Sequence, residues 1–558
     1  MNNMVKLGIA ALVIFGIVYG MISITQNWGK DKDEINTVNA TKDLDKLYDG
    51  LKVTTLTPRK ASVDLSSVNS GSKLPDIESY PYVIAPSTED YIEIYSSPEK
   101  AGVDYESWLI DVAQSFNNRG LTIEGKPVSV GVRNISSGLG VDYMVANKYK
   151  PDVFAPSNEL WAAMLTEKGI KNTLIEKRLA GNVAGIVIAK AKNDELLKKY
   201  GSVNSKVIVE AVLNGELIMG YTNPYASSTG LNFLLTALYT FDSVDPLSDN
   251  AISQLQKFQD NIPFVAYNTM QIRDSAKSGS LEGFVMEYQT YANSPDINRD
   301  YVFTPFGERH DQPLYEIGEL SPIKKQIMTE FTAYCKTPEM QTIATEKGFN
   351  ANDDYIYELS QADGATIDEA QRIWKREKNG SSELIAVFVA DISGSMDGAP
   401  LLELKESLYN AANYIDPETN VGLVTFSDYS NIAVPIGKFD LNQRALLTGA
   451  VEDMQAGGGT AMFDAIIVGA KMLDDAQQEN PGSKLMLFVL TDGETNRGSS
   501  LNDIEEVMRN LRIPIYTIGY NADISVLQTV SGINEATSIN ADTDDVSYKL
   551  ESLFNSHM

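Results

Sequence analysis

Continuous apolar runs that end in polar loops mark the C-terminal third of the chain. Residues 384–390 (LIAVFVA) and 484–490 (KLMLFVL) have the composition of parallel strands buried on both faces. The first run is followed, after Pro400, by a helical pattern at residues 401–414. This strand–loop–helix order predicts an open α/β sheet, and such sheets bind ligands in the loops at the carboxyl ends of their strands.

Residues 80–349 alternate strand-like and helical segments in the same way. Three strand-like runs, residues 91–95, 128–132 and 216–221, each lead to a loop with neighbouring hydroxyl residues and then to a helix. Hydroxyls and free backbone N–H groups at helix N-termini favour an anion. For a single loop a helix cap is the commoner explanation, and three such loops in one domain favour a ligand site more than one does. The candidate ligand residues in these loops are Ser96, Ser97, Ser136, Ser137, Ser227, Ser228 and Thr229.

The first residues of the chain have the length and composition of a membrane anchor. Residues 7–25 are apolar and uncharged, which is about the length that crosses a bilayer core, and Trp28 lies where an interfacial aromatic residue belongs. A cleaved secretory signal is the alternative, but its apolar region is normally shorter and ends in a small-x-small site, which is missing after Gly20. Lysines flank both ends of the segment, so charge does not decide its orientation.

Two polar stretches separate the predicted domains. Residues 29–79 are rich in Lys, Asp, Ser and Thr and predict a stalk, with a short helix at residues 41–48. Residues 361–381 predict a charged connector that is either helical or flexible. The predicted order is therefore an anchor (1–28), the stalk (29–79), a first domain (80–360), the connector (361–381) and a C-terminal domain (382–558).

The amino-acid composition argues against several classes of function. The formal charge of −29 and the low pI argue against nucleic acid as a partner, because phosphate binding needs a basic surface. The one cysteine, Cys335, lies in a helical pattern, which predicts a buried thiol and no disulfide framework. Of the two histidines, His310 lies in a polar loop and is expected to be exposed. The chain also lacks a nucleophile elbow, a Walker loop and a paired-glutamate motif, so we do not expect an enzyme.

The loop after the first apolar run carries the chemistry of a metal site. Asp391, Ser393 and Ser395 place one carboxylate and two hydroxyls on alternate residues of a tight loop. These are hard oxygen donors, which suit Mg²⁺ or Ca²⁺ and not a soft metal. Two later loops add donors of the same kind, because Thr460 follows three glycines and opens a helix, and Asp492 follows the second apolar run.

In this order the motifs D-x-S-x-S, G-G-T and T-D-G resemble the metal-ion-dependent adhesion site of von Willebrand factor A (VWA) domains. The resemblance covers about the last third of the chain, including a predicted strand at residues 516–519 and an amphipathic closing helix near residues 545–554. It implies a protein partner that presents a carboxylate to the metal. It also implies that five residues hold one Mg²⁺, Mn²⁺ or Ca²⁺ ion, directly or through water: Asp391, Ser393, Ser395, Thr460 and Asp492.

The first domain resembles bacterial extracellular solute-binding proteins, which clamp a solute between two α/β lobes. The resemblance covers about half of the chain and rests on the spacing of the three hydroxyl loops. It implies a ligand site formed by the seven hydroxyl residues of those loops and closed by Tyr288. An oxyanion is the first expectation for the ligand, and a zwitterionic or neutral solute could use the same donors.

Together these features predict an α/β protein: a two-lobed periplasmic-binding-protein-like domain, then a doubly wound, Rossmann-like VWA domain, behind an N-terminal transmembrane helix. We interpret the chain as a single-pass cell-membrane protein with both domains outside the cytoplasm. It would bind a protein partner through the metal, while the first domain senses a small ligand or serves as a docking scaffold. The alternative is the solute-capture subunit of an ABC-type importer, although such a subunit does not need the metal-binding domain.

Overall fold

The computed structural model describes residues 32–61, 74–262, 265–266, 272, 281–357, 362–378, 382–493, 495–520, 524–533 and 538–540. The predicted membrane segment at residues 7–25 and the predicted closing helix at residues 545–554 lie outside these ranges. Among the helices that the structure does describe, none is long and apolar enough to cross a membrane.

The elements alternate along most of the described chain. The first are helix α1 (Lys32–Asp49) and strand β1 (Val53–Thr55). Residues 74–357 contribute β2 (Tyr82–Ile84), β3 (Asp90–Ser96), α2 (Pro98–Ala101), α3 (Trp108–Asn118), β4 (Thr122–Ile123), β5 (Lys126–Asn134), α4 (Ser137–Val145), β6 (Val153–Ala155), α5 (Leu160–Glu167), β7 (Asn172–Glu176), β8 (Val183–Ala189), α6 (Lys190–Tyr200), α7 (Ser205–Leu213), β9 (Met219–Thr222), α8 (Ser228–Phe241), α9 (Asp249–Asp260), β10 (Val265–Ala266), β11 (Gly283–Glu287), α10 (Tyr288–Ala292), α11 (Pro295–Asp300), β12 (Tyr301–Arg309), β13 (Leu314–Ile317), α12 (Pro322–Cys335) and α13 (Pro338–Glu346). The last described part contributes α14 (Gly364–Glu377), β14 (Leu384–Asp391), α15 (Ala399–Tyr414), β15 (Asn420–Phe426), β16 (Ser430–Lys438), α16 (Leu441–Glu452), α17 (Met462–Glu479), β17 (Lys484–Thr491), α18 (Leu501–Leu511), β18 (Ile515–Gly519), α19 (Ile524–Gly532) and β19 (Ser538–Asn540).

Residues 74–357 form two lobes, each built on its own sheet. The first sheet has the strand order β2-β5-β3-β6-β13-β7, with β4 beside β5, and the second has the order β10-β9-β11-β8-β12. Strands β3, β5 and β6 pair in parallel, and apolar residues such as Ile94 and Val130 are fully buried between helices. The chain crosses between the lobes after β7 and again between β12 and β13. The predicted two-lobed architecture is confirmed, and Cys335 at the end of α12 is buried as predicted.

Residues 382–540 form a doubly wound domain around one sheet, with the order β16-β15-β14-β17-β18-β19. All neighbouring strands in this order are parallel except β16, which runs antiparallel to β15. The side chains of β14 alternate between two cores: Ala386 and Phe388 pack with α15 and α16, whereas Val387 and Val389 pack with α17 and α18. Burial on both faces explains why the strand has no polar residue before Asp391, and it confirms the predicted fold of this domain.

Within the segment predicted as a stalk, residues 32–61 belong instead to the C-terminal domain, whereas Leu74 and Ile77 pack in the core of the two lobes. Helix α1 contains the predicted short helix but is longer, and it buries Ala40 and Leu44 against α17 and α18. Strand β1 then extends the sheet beside β16, with Val53 opposite Ser430 in a parallel register. The segment looks polar because only a narrow stripe of α1 is buried, while its other faces meet solvent.

The segment continues past β1 onto the other face of the sheet. Arg59 forms ion pairs with Glu452 (2.5 Å) and Asp453 (3.0 Å) at the end of α16. Gly449 leaves room for the backbone to pass, because a Cβ there would lie 2.0 Å from the carbonyl oxygen of Arg59. We call residues 32–61 the belt, since they run from α1 on one face, around the sheet edge, to α16 on the other face.

The predicted connector is a docked helix, α14, over most of its described residues. Asp363 caps the N-terminus of α14 by accepting the backbone N–H of Thr366 (2.8 Å). Its apolar face, which includes Ile367, Ile373 and Trp374, is buried in a core shared with the two lobes. Of the two alternatives that the sequence left open, the helical one is found.

Candidate metal site and inter-lobe cleft

Asp391, at the end of β14, is the buried centre of the candidate metal site. Its Oδ1 accepts the backbone N–H of Ser393 (2.8 Å), and its Oδ2 accepts the hydroxyl of Thr491 (2.6 Å), the last residue of the neighbouring strand β17. The hydroxyl oxygens of Ser393 and Ser395 lie 3.1 Å apart. Ser393 is buried whereas Ser395 is exposed, so this loop presents one side to solvent.

The two later loops are hydrogen-bonded to this first loop. The backbone N–H of Gly394 donates to the carbonyl of Gly458 (3.1 Å), which brings the glycine run and Thr460 to the D-x-S-x-S loop. The hydrogen bond from the hydroxyl of Thr491 to Asp391 brings the loop that holds Asp492 to the same place. The structure thus brings the five predicted metal-binding positions to one edge of the sheet, at the carboxyl ends of β14 and β17.

Burial and charge make this edge favourable for a cation. Burial raises the pKa of Asp391 to about 6 against the lowering effect of its hydrogen bonds, and the charge of Asp492 adds to the rise. A divalent ion between two such carboxylates would stabilise their charged forms. Two carboxylates with three hydroxyls fit Mg²⁺, Mn²⁺ or Ca²⁺. Within the described ranges, no group of three or more His, Cys, Asp or Glu side chains is found that could hold a metal ion.

Three residues that the motifs did not indicate hold the Thr460 loop in place. Asp428, in the turn after β15, accepts the backbone N–H of Gly459 (2.8 Å) and pairs with Arg497 (3.1 Å). The side-chain oxygen of Asn496 accepts the backbone N–H of Thr460 (3.0 Å). Each of these residues lies in a loop at the same carboxyl edge of the sheet. Their position shortly after a strand-like run is the feature of the sequence that could have identified them.

The cleft between the lobes contains several of the predicted hydroxyl residues. The hydroxyl oxygens of Ser137 in the first lobe and Ser228 in the second lie 3.2 Å apart, and the indole N–H of Trp161 donates to Ser228 (2.8 Å). The hydroxyl of Thr229 donates to the carboxylate of Glu287 (3.5 Å). These residues therefore bond to one another and to neighbouring side chains across the cleft.

The remaining predicted ligand residues have different surroundings. Ser227 is the N-cap of α8, which is the alternative that the sequence left open. Ser96 is fully buried, and its hydroxyl points to a neighbouring carbonyl. The ring of Tyr288 packs on Phe303 within the second lobe, with 5.2 Å between the ring centroids. The hydroxyl of Ser136 is buried and has no hydrogen-bond partner among the described residues.

Sequence reasoning missed a buried charged network that bridges the lobes. His310 was predicted to be exposed, but it is fully buried. Its Nδ1 lies 2.9 Å from Glu287, and its Nε2 lies 3.1 Å from the side-chain amide of Asn158 in the first lobe. Lys100 is also fully buried and donates to the side chain of Gln312 (2.7 Å). His310 is buried because the chain crosses between the lobes at this point, which a local polar pattern does not reveal.

Burial and mutual charge act together in this network. Burial lowers the pKa of Lys100, although Glu99 and Glu287 oppose the change. Burial raises the pKa of Glu287, and the charge of Glu99 adds to the rise. Burial acts to raise the pKa of Glu99 too, but the charge of Lys100 and a hydrogen bond from Ser97 bring it below its ordinary value. The contact region between the lobes therefore holds two carboxyl groups beside one amino group.

Known proteins match the two domains separately. The family model for the von Willebrand factor type A domain matches residues 386–555. Inter-alpha-trypsin inhibitor heavy chain H4 of Homo sapiens is 30% identical over 151 residues, which are 25% of this chain and 16% of that protein. Heavy chain H1 of Bos taurus is 31% identical over 170 residues, which are 28% of this chain and 17% of that protein. The matched region thus spans less than a fifth of the length of these relatives.

The first domain has its own match, since the family model for bacterial extracellular solute-binding proteins covers residues 101–350. The solved structure of the sulfate-binding protein SubI from Mycobacterium tuberculosis H37Rv aligns with 52% of this chain and 96% of its own, at 14% identity and a TM-score of 0.34. A von Willebrand factor type A structure from Catenulispora acidiphila aligns with 32% of this chain and 43% of its own, at 20% identity and a TM-score of 0.29. The chain contains a bacterial extracellular solute-binding domain followed by a C-terminal von Willebrand factor type A domain.

Proposed function

We propose that this chain is a membrane-anchored, extracytoplasmic binding protein whose VWA domain takes a protein partner through a divalent metal ion. The observation that carries the proposal is the meeting of three loops at one sheet edge. The bond between Asp391 and Thr491 joins the first loop to the third, and the bond between Gly394 and Gly458 joins the first to the second. Hard oxygen donors gathered in this way favour Mg²⁺, Mn²⁺ or Ca²⁺.

The arrangement of the donors supports binding and not turnover. Asp391, Ser393 and Thr460 are buried, whereas Ser395 is exposed, so the site is open to solvent on one side. A bound Mg²⁺ keeps several water ligands, and a carboxylate from a partner protein can replace one of them. This exchange needs no nucleophile and no proton transfer, so we propose that the protein is not an enzyme.

The metal edge and the solute-binding domain lie at opposite ends of the VWA sheet. Lys484, the first residue of β17, donates to the carbonyl of Gln259 in the solute-binding domain (3.1 Å). Asp492 follows the other end of the same strand, which is eight residues long. A strand of that length spans roughly 26 Å. A protein partner can therefore approach the metal from the side opposite the solute-binding domain.

We further propose that the VWA domain is the one nearest the membrane. The predicted membrane segment at residues 7–25 comes shortly before the belt, and the belt is packed on the VWA domain. The solute-binding domain would then lie farther from the bilayer. An export-dependent reporter fused after Met558 should be active in cells, and activity only from a cytoplasmic reporter would reverse this topology.

For the solute-binding domain we propose a small ligand with hydrogen-bond donors. The cleft bears Glu99 and Glu287 as well as Lys100, so a zwitterionic or neutral solute suits its charges better than an oxyanion does. Asn158 is fully buried, and its side-chain oxygen has no partner among the described residues, so it can accept one such donor. A thermal-shift screen with amino acids, sugars and oxyanions tests this preference, and a shift with oxyanions alone would contradict it.

Calorimetric titration of the full chain with Mg²⁺ tests the metal site. We expect one binding event in the wild type and its loss in Asp391→Asn, which keeps the size of the side chain but removes its charge. Asp397→Asn is the matched control, because Asp397 is an exposed carboxylate of the same loop outside the predicted ligand set. The proposal fails if the folded wild type gives no heat of binding, or if Asp391→Asn binds as well as the control.

A further inference from the structure

Helix α14 lies across both lobes of the solute-binding domain, and its first half contacts the first lobe. Gly364 passes so close to α5 that a Cβ at this position would lie 2.3 Å from the carbonyl oxygen of Ala163. One turn later, Asp368 forms an ion pair with Lys168 at the end of α5 (2.7 Å). The first half of the helix is therefore fixed to the first lobe by close backbone packing and by charge.

The second half of α14 contacts the second lobe. The indole N–H of Trp374 donates to the hydroxyl of Tyr221 in β9 (2.6 Å), and that hydroxyl donates to the side chain of Gln259 in α9 (2.8 Å). The side-chain amide of Gln371 donates to the carbonyl of Pro224 (2.8 Å). Trp374 is fully buried, so this half of the helix is anchored by a large side chain as well as by hydrogen bonds.

The rim of the cleft beside α14 is closed by direct contacts between the lobes. Gly138 of the first lobe approaches Tyr225 of the second so closely that a Cβ would lie 2.0 Å from its carbonyl oxygen. The bond from Trp161 to Ser228 joins α5 to α8 (2.8 Å). The ring centroid of Tyr225 lies 6.0 Å from that of Trp374 on α14. Apolar residues of both lobes and of α14 thus form one continuous core.

We infer that α14 is a strap that holds the two lobes closed, so the cleft opens only when α14 leaves one of them. The second half of the strap is also tied to the VWA domain. Gln259 donates to the carbonyl of Lys378, just past α14 (3.2 Å), and its own carbonyl accepts Lys484 of β17 (3.1 Å). Because the second-lobe contacts are shared with this junction, release occurs at the first lobe, where Gly364 and Asp368 contact Ala163 and Lys168.

The strap links the cleft to the arrangement of the two domains. When the first half of α14 leaves α5, the first lobe moves relative to the second lobe, to α14 and to the VWA domain together. A solute that must pass through an open cleft therefore competes with the docked strap, and by linkage the docked strap opposes entry of that solute. This inference does not depend on the metal site or on the identity of the solute.

Distances between pairs of spin labels in the full chain test the strap. Three exposed residues can be changed to Cys for labelling: Val145 in the first lobe, Val244 in the second and Leu402 in the VWA domain. The native Cys335 is fully buried and does not compete for the label. In the wild type, each labelled pair should give one population of distances.

The test variant is Gly364→Val, which places a side chain where α14 meets α5 and creates no cavity in the core. We expect the pairs 145–244 and 145–402 to gain a second distance population that the wild type lacks, while the pair 244–402 stays unchanged. Arg376→Val is the matched control, because Arg376 is exposed on the same helix and pairs only with its neighbour Glu377 in the described structure. This control should leave all three pairs unchanged.

A second variant tests the strap if circular dichroism shows that Gly364→Val does not fold. Asp368→Ala removes the ion pair to the first lobe and should shift the same two pairs to a smaller extent. Unchanged distances across the lobes in the folded variants would overturn the strap. A change confined to the pair 244–402 would also overturn it, because the release would then occur at the second lobe.

Discussion

At the residue scale, both carboxylate oxygens of Asp391 are oriented by donors from the chain itself. One accepts the backbone N–H of Ser393, and the other accepts the hydroxyl of Thr491 from the neighbouring strand. Groups that orient a metal ligand in this way contribute to metal affinity, because they hold the ligand in the position that the ion needs. Thr491 is therefore a positioning residue for the predicted ligand Asp391.

Thr491→Val should weaken Mg²⁺ binding by roughly 10- to 100-fold, because it removes this hydrogen bond and keeps the volume of the side chain. Thr517→Val is the matched control. Thr517 is a buried hydroxyl in the adjacent strand β18 and donates to the carbonyl of Leu527 (3.2 Å), so its loss should cost stability but not metal affinity. Calorimetric titration measures both affinities, and wild-type affinity in Thr491→Val would show that Asp391 needs no such support.

The position of the three candidate metal-binding loops could be predicted from the sequence, whereas the residues that support them could not. A strand that is apolar on both faces places its first polar residue at the sheet edge, so the D-x-S-x-S spacing was enough to locate Asp391. Thr491 is bonded to it through the register of two strands, and the two residues are 100 positions apart. The burial of His310 was missed for a similar reason, since it depends on where the chain passes between two lobes.

At the scale of elements, the belt enlarges the folded unit of the VWA domain. Helix α1 and strand β1 come before the solute-binding domain in the chain, yet they pack on the helices and the sheet of the last domain. The family match begins at residue 386 and does not include them. The solute-binding domain is thus inserted between two parts of one packed structure.

Leu44→Ala in the belt should lower the free energy of unfolding of the VWA domain by about 2–5 kcal/mol, because this side chain is fully buried against α17 and α18. Leu56→Ala is the control: it lies in the same belt but is 44% exposed, and we expect an effect within about 0.5 kcal/mol. Urea denaturation of the full chain measures both. Equal effects of the two substitutions would mean that the segment is the stalk first predicted.

The difference between β14 and the belt shows what a local pattern can reveal. Burial on two faces leaves a continuous apolar run in β14, so that strand could be predicted within a residue of its ends. Helix α1 buries Ala40 and Leu44 on one narrow stripe, and the surface that receives them lies more than 400 residues away in the sequence. No local periodicity identifies such a partner, and the polar remainder of the helix has the composition of a linker.

At the scale of the whole molecule, the two domains meet at a junction that contains a partly buried lysine. Lys484 donates to the carbonyl of Gln259, and burial lowers the pKa of its ammonium group to about 8. An unfolded lysine titrates near a pKa of about 10.4. Between these two values the unfolded chain binds more protons than the folded one, so the contribution of this residue to stability rises with pH.

Lys484→Met should therefore be more stable than the wild type at neutral pH, because it removes the cost of burying an ammonium group. The difference between the two proteins should shrink as the pH rises from about 8 to about 10.4. Thermal denaturation across this range measures it. Lys438→Met, a change at an exposed lysine of the same sheet, is the control and should show little difference from the wild type. A stability difference between Lys484→Met and the wild type that does not vary with pH would contradict a lowered pKa of Lys484.

We propose that the VWA domain holds a metal ion with a coordination position open to an outside carboxylate. Water-proton relaxation of the full chain loaded with Mn²⁺ tests it most directly, because the relaxation rate reports the waters bound to the ion. We predict that acetate lowers this rate by displacing a water and that acetamide, the neutral analogue, does not. Asp391→Asn should show neither the bound ion nor the acetate effect. Mn²⁺ bound to the wild type with a relaxation rate that acetate leaves unchanged would contradict the claim.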